Sequence, residues 1–376
     1  MTPPHLLQIV PSLDSGSLAR ATIDSAQAAI AAGGSATVAS GGGMLVPMLL
    51  RLHGKHIDFP NDRNPLWARY CLPARLVASL RDTEVSVVQA RTPSTSWIAQ
   101  SVARRLKVRS IATLHQPFIG TTQIARFVER RQTNADALVA VSDHIATDAL
   151  ARLPALESRL ETIKPGINLD RFDPAGVRAE RLIRLAAQLR VPDDCHVILC
   201  AARDEPGRLT LIQAIKQLKR DDVFCLMLGQ VDGMTPFEKE LERQIVQADL
   251  LGKVQIGPYV DDMPAAYMLA DVVVATGGIR RGFSRSLVEA QAMGRPVIAE
   301  EGGGAAEAVR PGITGWLAAL ADPGSLAQAI EQAISLSNER RAELARAAQE
   351  HTRQNYALAS SNKRLLALYD RLSGGD

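Results

Sequence analysis

The chain has 376 residues, of which 46% are hydrophobic and 22% charged, with 43 Lys and Arg against 40 Asp and Glu. That length exceeds one ordinary α/β domain and fits two, each large enough to bury its own core. The near balance of charge gives no reason to expect a nucleic-acid partner. No stretch approaches the roughly 20 apolar residues of a membrane span.

In chain order, MTPPHLLQIVPSLD has no basic segment ahead of its short apolar run, so the protein is expected to stay in the cytoplasm. HLLQIV (5–10), ATVAS (36–40), VSVVQA (85–90), SIATLH (110–115) and ALVAVS (137–142) are short, β-branched or apolar, and separated by helical patterns. They predict buried parallel strands with crossover helices. IKPGINLDRFDP (163–174) then punctuates the chain with Pro165, Gly166 and Pro174. A second series follows: HVILCAA (196–202), VFCLML (223–228), KVQIG (253–257), DVVVAT (271–276) and PVIAE (296–300). Two such series predict two doubly wound sheets, over residues 1–170 and 171–376. The last amphipathic helix, about 355–372, is a candidate to pack back on the first domain. Ligands of such sheets bind beyond the carboxyl ends of the strands, so the expected site is a cleft between the domains.

Cys71, Cys195, Cys200 and Cys225 are scattered and predict reduced, buried thiols rather than a metal site. Residues 1–170 hold 18 of the Lys and Arg and 13 of the Asp and Glu. Arg104, Arg105, Lys107, Arg109, Arg126, Arg130 and Arg131 supply much of that excess. They read either as solvated helix faces or as a surface suited to anionic lipids or phosphorylated acceptors.

The segment richest in chemistry is DVVVATGGIRRGFSRSLVEAQAMGRPVIAEEGGGAAEAVR (271–310). A strand ends at Thr276, a loop carries Gly282 and Phe283, Ser284 is placed to cap a helix, and Gly294 is placed to stop it. A helix N-terminus beside a glycine loop suits a diphosphate, and Glu289, just over one turn along, is placed to accept from ribose hydroxyls. Any strand–loop–helix unit of an α/β domain has the same local form.

VEAQAMGRPVIA, followed by GGGAAEAV and GITGWL, resembles the donor-domain signature of glycosyltransferase family 4, the retaining GT-B enzymes. PSLDSG, TLHQPF, ALVAVSDHI, IKPGINLDRFDP and VQIGPYVDDMPAAYMLADVVVAT agree in order and spacing. The resemblance implies a GT-B fold, two Rossmann-like domains facing across a cleft. It further implies transfer of a sugar, with retention, from a nucleotide-sugar donor to a glycan or lipid-linked acceptor. Relatives of this kind build lipopolysaccharide or other envelope polysaccharides, which implies peripheral contact with the cytoplasmic membrane face and no cofactor.

Carried over by residue, the resemblance places His115 beside the donor sugar, Glu289 on the ribose and Gly16 in the loop that closes over phosphate and acceptor. This chain departs from the pattern at Arg281, where the family has the first glutamate of Glu-x7-Glu, and at Ser17 and Ser284, where it has glycines. A guanidinium at Arg281 suits a diphosphate or a carboxylated sugar. In ARDEPGRL, Arg203 and Arg208 stand for the basic pair that neutralises the leaving diphosphate. Asp261 and Asp262 are adjacent and are expected to start a helix rather than bind a metal, so the reaction is expected to be metal-independent. The departures keep open a catalytically degenerate scaffold that binds a nucleotide sugar or a partner. A dehydrogenase is disfavoured because no G-x-G-x-x-G follows the first strand. An epimerase on a similar fold remains an alternative.

Overall fold

The computed structural model describes residues 4–14, 16–59, 68–118, 120, 122–201, 205–230, 235–278 and 282–374. The chain forms two compact units, Met1–Pro165 together with Leu358–Asp376, and Gly166–Ala357.

The first unit is built on strands β1 (His5–Ile9), β2 (Ser35–Ser40), β3 (Lys55–Asp58), β4 (Val87–Ala90), β5 (Arg109–Leu114), β6 (Ala137–Ala140) and β7 (Leu160–Thr162). Between them run α1 (Ser17–Ala31), α2 (Val46–Arg51), α3 (Ala68–Ser79), α4 (Pro93–Leu106), α5 (Gln123–Gln132) and α6 (Asp143–Arg152). All pairings are parallel, in the order β3-β2-β1-β4-β5-β6-β7. The chain first builds outward from β1 through β2 to β3, then returns to the other side of β1 with β4. That reversal is the topological switch point of a doubly wound sheet. Central strands such as Val87–Ala90 are buried along their whole length, because helices cover both faces. Helix α1 turns Ala19, Ile23, Ala26 and Ala29 inward at helical spacing, onto Leu6, Val38 and Val87. Helix α4 is capped by Thr92 Oγ1, which accepts from Thr95 N at 3.3 Å, and it ends where Lys107 adopts the left-handed conformation at φ 58°.

The second unit repeats the plan with β8 (His196–Cys200), β9 (Val223–Gln230), β10 (Val254–Pro258), β11 (Val272–Ala275), β12 (Val297–Glu300) and β13 (Gly315–Ala318), in the parallel order β10-β9-β8-β11-β12-β13. Its helices are α7 (Ala179–Gln188), α8 (Glu205–Leu218), α9 (Pro236–Gln247), α10 (Met263–Leu269), α11 (Arg285–Ala292), α12 (Pro323–Ile334) and α13 (Asn338–Asn355). The side-chain alternation of β11 divides the core. Val273 joins α10 and α11 on one face, while Val272 and Val274 join α8, α9 and α12 on the other. The switch point here lies between β8 and β11.

The last helix, α14 (Leu358–Ser373), belongs to the first unit. Leu365, Leu368 and Tyr369 enter the α1 side of its core, and the buried Tyr369 hydroxyl donates to Gln89 Oε1 at 2.6 Å. Among the described residues no helix is long and apolar enough to cross a membrane. All four cysteines are free, but only Cys200 and Cys225 are buried. Cys71 is exposed, contrary to the expectation of buried thiols, because it lies on the outward side of α3 while its neighbour Leu72 fills the core.

Candidate functional site: the strand ends of the two units

In the second unit the groups converge on the carboxyl ends of the strands that flank the switch point. Strand β11 is a fully buried run of three valines and an alanine, and the chain leaves it through Thr276 and two glycines in left-handed conformations, Gly277 at φ 114° and Gly278 at φ 45°. That loop is tethered by Glu300, the last residue of β12, whose carboxylate accepts from Gly277 N at 2.5 Å and from Ala321 N at 3.2 Å. A carboxylate 4% exposed and holding two backbone N–H groups fixes the loop's path.

The first turn of α8 closes against the same loop. At Gly207 a Cβ would stand 2.1 Å from Thr276 Oγ1 and 2.2 Å from Thr276 Cβ, so only glycine allows this approach. Arg208 is 3% exposed and donates through a terminal nitrogen to the Leu228 carbonyl on β9 at 2.5 Å. The expected phosphate ligand therefore stands at the strand ends with part of its donor set committed to the backbone. Arg203 and Arg281 lie outside the described residues.

Ser284 occupies the N-cap position of α11 with extended backbone, but its side chain does not cap the helix. Its Oγ lies 3.2 Å from Ser286 Oγ instead, which corrects the expected role. The first-turn N–H groups of such a helix have no intrahelical acceptor, and the positive end of its dipole suits an anion. The helix stops as the sequence predicts. Gly294 adopts φ 68°, its N–H reaches Gln291 O at 2.9 Å, and Arg295 N reaches Ala290 O at 2.9 Å, the paired bonds of a Schellman motif. Gly282 is buried, and the Phe283 ring packs 6.0 Å from that of Tyr356, so both support the approach to α11.

Glu289 is 8% exposed. Its Oε2 accepts from the Tyr267 hydroxyl at 2.9 Å, and Oε1 stands 3.9 Å from Arg285 Nη1. Burial first, and then the neighbouring Glu289 charge, push the Tyr267 phenol well above its ordinary range, so it remains a donor. Asp262 starts α10 by accepting from Ala265 N at 3.2 Å, and it receives two hydrogen bonds from Arg181 at 2.5 and 2.9 Å.

In the first unit, Gly16 is exposed at the N-cap of α1 with φ 136°. Nothing lies within 4 Å of where its Cβ would be, so backbone conformation rather than space calls for glycine. Ser17 is the first residue of α1 and exposed, where a Cβ costs nothing locally. His115 directly follows β5. Its Nε2 is sealed from solvent with no hydrogen-bond partner, and burial, then the charge of Arg91, holds its pKa down at about 3. The imidazole is therefore neutral at physiological pH. Arg91 follows the end of β4, is 5% exposed, and donates to Gln8 Oε1 at 3.1 and 3.2 Å, Ala21 O at 3.2 Å and Ser25 Oγ at 2.5 Å.

Three of these residues escape sequence reasoning. Glu300 and Arg91 had a signal, since each is a charge directly ending an apolar strand run, PVIAE and VSVVQAR. Tyr267, inside the apolar AAYML, had none.

The chain matches the family model "Glycosyltransferase Family 4" over residues 18–171 and "Glycosyl transferases group 1" over residues 178–351. It is 33% identical over 264 residues, 65% of its length, to the D-inositol 3-phosphate glycosyltransferase of Salinispora tropica, and the alignment takes in 53% of that protein. The chain thus spans about half the length of the curated relatives it matches. A glycosyltransferase from Rickettsia africae superposes with a TM-score of 0.88 at 25% identity, covering 100% of both chains. Anabaena HepE, crystallised with UDP and glucose, shares the fold with a TM-score of 0.86 at 22% identity, over 98% of this chain and 100% of its own. With one model on each half, and strand ends arranged around the switch points of two Rossmann-like sheets, the chain belongs to the GT-B glycosyltransferases.

Proposed function

We propose that the protein is a retaining, metal-independent glycosyltransferase that carries a sugar from a nucleotide-sugar donor to a glycan or lipid-linked acceptor of envelope synthesis. The observation that carries this reading is the β11–loop–α11 unit. Gly277 is tethered by Glu300, an uncapped helix N-terminus follows, and Glu289 is held by Tyr267. The helix end and Arg208 receive the diphosphate, and Glu289 Oε1 accepts from the ribose. His115, neutral and placed directly after β5, orients the sugar. The leaving phosphate stays beside the acceptor hydroxyl and takes its proton, so no protein nucleophile is needed.

UDP and UDP-glucose are the first ligands to try, because HepE holds UDP and glucose within the same fold. Inositol phosphate deserves a place among the acceptors, since relatives at 30–33% identity are named for it. Arg208 and the helix end supply positive charge that a divalent ion would otherwise bring, and Asp262 is engaged by Arg181 and its own helix. A lipid-linked acceptor would draw the protein to the cytoplasmic membrane face.

The test is a panel of radiolabelled UDP-, GDP- and ADP-sugars with and without EDTA, scored for binding, hydrolysis, transfer and anomeric configuration. Metal-free binding with retained configuration in the product is the expected result. An inverted product refutes retention, activity only with Mn²⁺ refutes metal independence, and tight binding without any turnover makes the protein the scaffold that its altered motifs also allow.

A further inference from the structure

We propose that the first unit carries a second ligand site, a bipartite basic recess at the amino-terminal edge of its sheet that takes a soluble polyanion with two or more phosphate groups. Two recesses of about 570 and 390 Å³ share Arg109, Asn134 and Asp136 as a common wall. Arg104, Lys107 and Arg131 line the first, and Arg159 and Arg371 line the second. Six cations thus face one carboxylate, Asp136, which is paired with Arg109 at 3.2 Å.

The charge is poorly neutralised. Among the described residues Arg104, Lys107, Arg131 and Arg159 make no ion pair. Arg104 reaches Gln100 O at 3.3 Å, and Arg159 reaches Ala135 O at 2.7 Å. Arg131 lies 5.1 Å from the Trp97 ring centre, which holds the guanidinium in place without cancelling its charge. Arg371 is paired with Glu161 at 2.8 Å. The carboxyl-terminal ends of α4 and α5 contribute about half a negative charge each. An excess of about three positive charges remains, concentrated in concave walls that focus the field.

The recess has its own place in the fold. Arg109 opens β5, while His115 follows its far end, and six residues of strand span about 20 Å. The site therefore belongs to the sheet edge opposite the strand ends where nucleotide or acceptor would bind. The two lobes, with cations at either end and Arg109 between, fit a ligand with separated phosphates better than a single one. The inference does not rest on sugar transfer, and its failure would leave that reading intact.

The test uses the full chain in saturating UDP, so that any nucleotide site is filled, with inorganic tripolyphosphate as the probe in a calorimetric titration. Binding at one per chain is expected, weakening steeply with salt, with orthophosphate at least tenfold weaker. Lys107→Gly and Arg104→Ala should each lower tripolyphosphate affinity about tenfold, the low end for a lost charged contact. Lys107→Gly is the safer variant, because glycine suits φ 58° and the melting temperature should hold or rise. Absence of saturable binding, or affinity unchanged in both folded variants, overturns the proposal. So does a result in which the variants lose only adhesion to phosphatidylglycerol vesicles while tripolyphosphate never binds, since that would make the recess a lipid-facing surface.

Discussion

Gly207→Ala tests whether the first turn of α8 sets the position of the loop between β11 and α11, the proposed nucleotide site. The added Cβ would lie 2.1 Å from Thr276 Oγ1, 2.2 Å from Thr276 Cβ and 3.0 Å from Gly277 N. Carbon contacts are comfortable at about 3.5 Å, so helix and loop must separate by about 1.4 Å. Thr276 cannot rotate away, because its own Cβ is one of the clashing atoms. Overpacking of this kind costs about 1–3 kcal/mol. For a unit of this size, each kcal/mol lowers the melting temperature by about 2–4 °C, so the second-unit transition should fall by about 2–12 °C. The same displacement pulls Gly277 from Glu300, and losing one contact to the phosphates should weaken UDP binding about ten- to a hundredfold. Differential scanning calorimetry and calorimetric titration with UDP read the two effects. Gly176→Ala, where nothing lies within 4 Å, is the control that should change neither. Adding Thr276→Gly to the Gly207→Ala chain should recover part of both losses, because it removes the two nearest atoms. Wild-type melting temperature and UDP affinity in Gly207→Ala would refute the reasoning outright.

Glu289→Ala should weaken nucleotide binding about ten- to a hundredfold, and Tyr267→Phe, which frees one carboxylate oxygen from its donor, should cost part of that; equal affinities in titration with UDP would remove Glu289 from the site. His115→Ala should lower turnover more than donor affinity, as steady-state kinetics with the donor would register. His115 and His5, held down at about 3 and about 4, chiefly by burial, resist protonation in the fold. Below pH 6.5 the unfolded chain therefore binds more protons, and stability must fall as the pH drops toward those values. Each contributes up to about 1.4 kcal/mol per pH unit, and His115→Gln should flatten the urea-measured slope between pH 6 and 4. Tyr369→Phe leaves Gln89 Oε1 without its 2.6 Å donor in a buried setting and should destabilise the first unit by about 1–3 kcal/mol, measured by chemical unfolding.

The sequence by itself determined the two sheets, because central parallel strands are covered on both faces and must be apolar throughout. VVQA of β4 and VVVA of β11 announce themselves for that reason. β3 and β7 went unread for the complementary reason. Each lies at a sheet edge, paired on one side and partly exposed, so KHID and LET carry no continuous apolar run. Helix punctuation was equally local, and Gly294 ends α11 because the left-handed C-cap is a property of the backbone nearby.

What only the tertiary structure decided are the relations between segments far apart in the chain. Glu300 tethers Gly277 from 23 residues away, Tyr267 holds Glu289 from 22, and Tyr369 reaches Gln89 from 280. Ser284 has the identity and position of a cap and still does not make the bond, because its hydroxyl lies toward Ser286 instead. A residue's type limits the bonds it can make, whereas its packed neighbours decide which bond it makes. The elements were therefore legible in the sequence, while the network that holds Glu289, Arg208 and the glycine loop in place became visible only once the sheets were folded.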